Sequence, residues 1–127
     1  MGRIENVTTG SVVADQATVA RTFPARVIGL LARRRFEFGE ALVFPDCRSI
    51  HTIGMRFPID VVFVSREWRV VAVRSPVAPG RLTVGAWHAS ATIELPTGTA
   101  KRASVRVGDQ LRFIDTEAQP SVLRKRS

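Results

Sequence analysis

Cys47, His51 and Asp60 all fall within CRSIHTIGMRFPIDVVFV (47–64). These are the residue types of a nucleophile, a base and the group that orients the base. A four-residue loop over GMRF (54–57) would set RSIHTI against PIDVVFV, with His51 facing Asp60. Opposed Cβ atoms lie about 4.5–5.5 Å apart, so an imidazole–carboxylate hydrogen bond is within reach. Cys47 would then sit about 13 Å from His51 along an extended strand, too far to be activated by it. The pair therefore reads first as a structural bond that sets the hairpin register, because buried polar groups are normally satisfied. Glu94, in ATIELP (91–96), alternates with Ala91, Ile93 and Leu95 and so points off their face. Beside Asp60 it would complete a two-carboxylate surface; alone it is a solvated side chain. His51, Asp60 and Glu94 are the catalytic candidates of a hydrolytic reading. No three- or four-ligand metal spacing and no glycine-rich phosphate loop accompanies them, so neither a metal nor a cofactor is expected.

Binding candidates lie elsewhere. SPVAPGRLTVGAWHAS (75–90) is long for a connection and carries two prolines, two glycines and a tryptophan. Connections of that length in compact domains are often binding loops. Trp87 and His88 within it, with Arg56 from the GMRF loop, are the residues that would meet a ligand or partner.

Charge raises a third possibility. The 127 residues carry a net charge of +8, and the 19 basic residues are arginine except for Lys101 and Lys125. Arginine forks suit phosphate. Only ARRRF (32–36) and the tail LRKRS (123–127) are clustered, and no aromatic is interleaved to stack on bases. Nucleic-acid binding is expected to be weak and nonspecific.

The elements that must hold these residues read mainly as strands. VVADQATVA (12–20), ALVF (41–44), RSIHTI (48–53), IDVVFV (59–64), RVVAV (69–73), ATIEL (91–95) and QLRFI (110–114) are short, rich in branched apolar residues and punctuated by Gly, Pro or charge. RTFPARVIGLLARRRF (21–36) spaces Phe23, Val27, Leu30 and Leu31 as a helix does, with Thr22 as cap and Pro24 in the first turn. TGTAKRAS (97–104) suits one short helical turn. The composition, 45% hydrophobic and 24% charged, is that of one soluble globular domain. That domain is expected over 12–115, between a flexible N-terminus (1–11) and a flexible basic tail (116–127). The single cysteine cannot form an internal disulfide, the first residues hold no apolar leader, and no stretch is long enough to span a membrane. A cytoplasmic location follows as the expectation.

The order of these pieces resembles the family catalogued as domain of unknown function 192, over roughly residues 12–114. Gly29-Leu30-Leu31, Pro58-Ile59-Asp60, Glu94-Leu95-Pro96, Gly98 and Gly108-Asp109 carry the resemblance. It implies a compact, mainly β fold (α+β at the margin), a β-sandwich of jelly-roll type with one helix packed near the N-terminus. It implies no reaction, ligand or cofactor. Many members have tryptophan and Asn-Thr in the first hairpin strand, where this chain has His51 and Gly54-Met55. The function expected from residues and resemblance together is a non-enzymatic ligand- or partner-binding accessory module. Hydrolysis through His51, Asp60 and Glu94, and arginine-driven polyanion binding, are the alternatives.

Overall fold

The computed structural model describes residues 1–21 and 36–116. The helix expected within 21–36 and the tail beyond 116 lie outside the described residues. Among the described residues nine strands and one short helix follow in chain order: β1 (Gly2–Asn6), β2 (Ser11–Val19), β3 (Glu40–Pro45), β4 (Ser49–Ile50), β5 (Ile59–Val64), β6 (Val70–Val77), β7 (Val84–Gly85), β8 (Ala91–Pro96), α1 (Thr99–Arg102) and β9 (Leu111–Asp115).

IDVVFV and ATIELP are buried at every position, polar Asp60, Thr92 and Glu94 included, as strands of a sheet covered on both faces should be. They pair antiparallel with Val62 opposite Ile93, and β3 pairs with β8 on its other edge. The full seven-stranded order is β6-β5-β8-β3-β2-β1-β9, and a separate two-stranded ladder joins β4 to β7. Among the described strands only β2 and β3 run parallel.

The sheet curls until its two edges meet. Arg69, leading into β6, bridges to Gln110, leading into β9, and the Val70 N–H donates to the Asp109 carbonyl at 2.8 Å. The contact closes one end of the sheet and covers part of the edges, which would otherwise template aggregation along their length. A core cluster drawn from all seven strands, with Ile4, Val62, Ile93, Leu95 and Leu111 at 2% exposure or less, fills the inside. The mainly β expectation is met. The expected jelly-roll sandwich of two facing sheets is corrected to one curled sheet with a small accessory ladder. Short alternating strands fit both arrangements, and only the pairing separates them.

The flexible N-terminus expected over 1–11 is also corrected, because residues 2–6 form β1 between β2 and β9. GRIEN looks polar, yet its alternation puts Gly2, Ile4 and Asn6 inward. A Cβ on Gly2 would lie 2.4 Å from the Phe113 ring, so only glycine lets β1 and β9 approach this closely.

Candidate functional site

Asp60 is fully buried and opposes Leu95 across β5 and β8. One carboxyl oxygen accepts the Ser75 hydroxyl at 2.6 Å. The other accepts the N–H groups of Gly98 and Ala100 at 3.0 and 2.9 Å. Gly98 precedes α1 with φ 91, a conformation glycine adopts without strain. Asp60 thus ties β5, β6 and the start of α1 together.

The expected His51–Asp60 pair is not formed. RSIHTI keeps only Ser49–Ile50 as strand, and these pair with β7 rather than with β5. His51 is exposed, its Nδ1 accepting the Ile53 N–H at 3.3 Å. GMRF does not close a tight hairpin because Thr52 and Met55 turn inward while His51, Ile53 and Arg56 turn outward. The structure also separates the two carboxylates. Glu94 opposes Val61 and Leu42, one residue out of phase with Asp60, so it lies on the opposite face of the sheet. That face is a second apolar cluster built on Ile59, Val61 and Phe63, with Leu42 packed beside it. Glu94 is therefore a buried group, not a solvated one, at 6% exposure. No hydrogen bond or ion pair reaches it among the described residues. Burial pushes its carboxyl up to about 8, because a charged form there would be desolvated without compensation.

The binding candidates fall on a flap. The β4–β7 ladder and its flanking loops are pinned by Thr52, which is fully buried. The Thr52 hydroxyl donates to the Ala78 carbonyl and accepts the Arg81 N–H, both at 2.8 Å. Its backbone N–H donates to the Arg81 carbonyl at 2.9 Å. Nothing in the sequence marked Thr52, whose role appears only once 52 and 78–81 are neighbours. Outward from this anchor stand Trp87 at 80% exposure, Leu82 at 78% and Ile53 at 46%. Trp87 and His88 stack edge to face, ring centroids 5.7 Å apart. Arg56 and Arg81 are exposed on the same flap. Residues 49–58 and 78–88, the flap and its loops, contain no Asp or Glu, so the flap's formal charges are all positive.

A second buried polar knot was also unmarked. Asp109 accepts the Asn6 amide at 2.8 Å and the Arg106 N–H at 3.0 Å. It locks the turn through which the sheet edges meet. Among the described residues no group of three His, Cys, Asp or Glu side chains could hold a metal ion. No helix among them is long and apolar enough to cross a membrane.

The motifs carrying the resemblance now have places. Pro58-Ile59-Asp60 opens β5, Glu94-Leu95-Pro96 closes β8, Gly98 receives the Asp60 carboxyl, and Gly108-Asp109 builds the turn between the edges. Comparison with known proteins agrees. A UPF0127 protein of Pyrococcus furiosus is 32% identical over 112 residues, covering 85% of this chain and 95% of the relative. Its counterpart in Pyrococcus abyssi is 32% identical over 120 residues, covering 90% and 99%. A crystal structure of a protein of unknown function from Novosphingobium aromaticivorans superimposes with a TM-score of 0.76 at 24% identity, covering 88% of this chain and 84% of that one. That of a protein titled a putative transcription regulator, from Sinorhizobium meliloti, gives 0.75 at 21%, covering 88% and 91%. Both show a shared fold. The family model DUF192, described as Uncharacterized ACR, COG1430, matches residues 4–113, from inside β1 to inside β9, and the chain belongs to that family.

Proposed function

We propose that this domain is a non-enzymatic accessory module that docks an acidic partner protein through the flap, with Trp87, His88 and Arg56 in the contact. The observation that carries this reading is the exposure of Trp87 and Leu82 on a flap whose formal charges, Arg56 and Arg81 among them, are all positive. Tryptophan and arginine are the residues that most often dominate binding energy at interfaces. A large exposed apolar patch with a polar rim is the usual mark of such a surface. The Thr52 anchor supports it further, since a pre-ordered loop loses less entropy on docking. A reducing, cytoplasmic setting fits the unpaired Cys47.

The hydrolytic alternative has less support. His51 belongs to the flap, Asp60 is occupied by three donors, and Glu94 faces the other side of the sheet.

The test is site-directed photo-crosslinking in cells, with the reactive residue at position 87 or, as control, at exposed position 106. The expected result is an adduct to an acidic protein from position 87 only, lost when Arg56→Glu and Arg81→Glu are introduced together. Equal adducts from both positions, or none, would overturn the reading. An adduct to nucleic acid at position 87 would replace it with polyanion binding.

A further inference from the structure

Two clefts open side by side where the sheet's edges meet, away from the flap's apolar tip. One, of about 560 Å³, is mainly apolar, lined by Val19, Val43, Leu111 and Phe113, with the charged Arg21, Glu67 and Arg112 also on its wall. The other, of about 580 Å³, is polar and lined by Asp46, Cys47, Arg48, Ser65, Arg66 and Ser90. Pro45, Trp68 and Ala91 line both, so the two chambers share a wall. Each falls within the roughly 300–1,000 Å³ of small-molecule sites.

The shared wall is built in a strained way. Trp68 has φ 66 and Asp46, across the polar chamber, has φ 54. Trp68 closes the turn between β5 and β6. Its N–H donates to the Ser65 carbonyl at 2.9 Å, and the Ser65 N–H to the Arg69 carbonyl at 2.8 Å. Glycine is the residue such a left-handed turn position ordinarily takes, and a bulky side chain there is a genuine outlier. The indole makes use of the position. It packs against Phe113 with ring centroids 6.0 Å apart, forming the ridge between the chambers. Strain of this kind persists where surrounding structure enforces it, and it concentrates at ligand clamps.

The polar chamber lacks the partners its charges call for. Arg48 and Arg66 are exposed, and neither guanidinium makes a hydrogen bond or ion pair among the described residues. Asp46, also unbonded there, leaves the chamber one positive charge in excess. The serines and the Cys47 thiol add neutral hydrogen-bonding groups, the thiol donating to the Ser49 carbonyl at 3.2 Å.

We propose that the groove across Trp68 binds an amphiphilic anion, its apolar body in the chamber against Phe113 and its phosphate, sulfonate or carboxylate head between Arg48 and Arg66. A free phosphate would leave the apolar chamber empty, and a neutral hydrocarbon would leave the two guanidinium groups without a partner. This site is independent of partner docking by the flap and stands or falls separately.

The test uses the full chain carrying Trp87→Phe, which leaves Trp68 as its only tryptophan. Emission is followed during titration with octyl phosphate, octanoate and octanol, all below micelle formation. Octyl phosphate and octanoate should give a saturable change, and octanol should bind about tenfold more weakly or worse, since each lost charge-assisted bond removes at least that factor. Arg48→Ser with Arg66→Ser should weaken octyl phosphate by about tenfold or more and leave octanol unchanged. Both arginines are exposed, and an unaltered melting temperature confirms that the variant is folded. A non-saturable response, equal affinity for octanol, or unchanged affinity in the double variant would overturn the proposal. Vesicles of phosphatidylcholine with phosphatidylglycerol separate a free amphiphile from a headgroup held at a surface. Retention on vesicles without a response to octyl phosphate would also overturn it.

Discussion

Asp60 and Glu94 lie on adjacent strands, both buried, and only Asp60 is met by donors. Truncating Asp60 to alanine strands two backbone N–H groups and a hydroxyl. It should cost about 3 kcal/mol or more. Asn is milder, because its oxygen can keep both N–H groups while its amide turns to Ser75; about 1–2 kcal/mol should be lost. Denaturant midpoints check the order, and an Asp60→Ala variant as stable as Asp60→Asn would contradict this account. Glu94 behaves oppositely. Its pKa is about 8 folded against 4.5 unfolded, so between those values the folded state keeps a proton that the unfolded state has lost. Stability should therefore fall as pH rises from 4.5 to 8 and level off above, by about 5 kcal/mol at most. Glu94→Gln, neutral throughout, should match the wild type near pH 4 and melt higher at pH 9. Identical melting temperatures at pH 9 would sink the idea. Alternation in ATIELP correctly separated Glu94 from Ile93 and Leu95, but it could not show that the other face is a core as well.

The elements differ in how much the sequence revealed. IDVVFV and ATIEL were legible nearly to the residue because short runs rich in branched apolar residues, bounded by Pro, Ser or Gly, admit few other structures. RSIHTI was not, since its alternation continues through Thr52, whose hydroxyl is satisfied by a loop some thirty residues away. The left-handed turn at Trp68 was hidden for a related reason, as nothing local distinguishes it from an ordinary hairpin. Thr52 tests the flap as a unit. Thr52→Val keeps the shape but removes one donor and one acceptor from a fully buried position, and should cost about 1–3 kcal/mol. Amide exchange should quicken in Ser49–Ile50 and Val84–Gly85 while β5 and β8 stay protected. Unchanged exchange in the flap would show that its order comes from the second cluster instead.

Across the whole molecule, charge was read easily and topology was not. Arginine excess is plain in composition, whereas β1 was invisible because GRIEN is stabilised by a strand more than a hundred residues distant. The charge carries its own prediction. With only two clusters of arginine, affinity for mixed-sequence DNA should be weak and should fall about 10³-fold or more between 50 and 200 mM salt if six phosphates are contacted. Filter binding across that range checks it, and micromolar affinity surviving at the upper end would mean an organised arginine surface on the fold. The pairing of β1 with β9 has a further consequence. Gly2 stands opposite Asp115, so entry to and exit from the sheet are separated by about one strand spacing, roughly 5 Å. A host protein could carry this domain inside a surface loop with its own two ends barely parted. The unit is thus portable: it can be grafted into the middle of another chain as readily as appended to it.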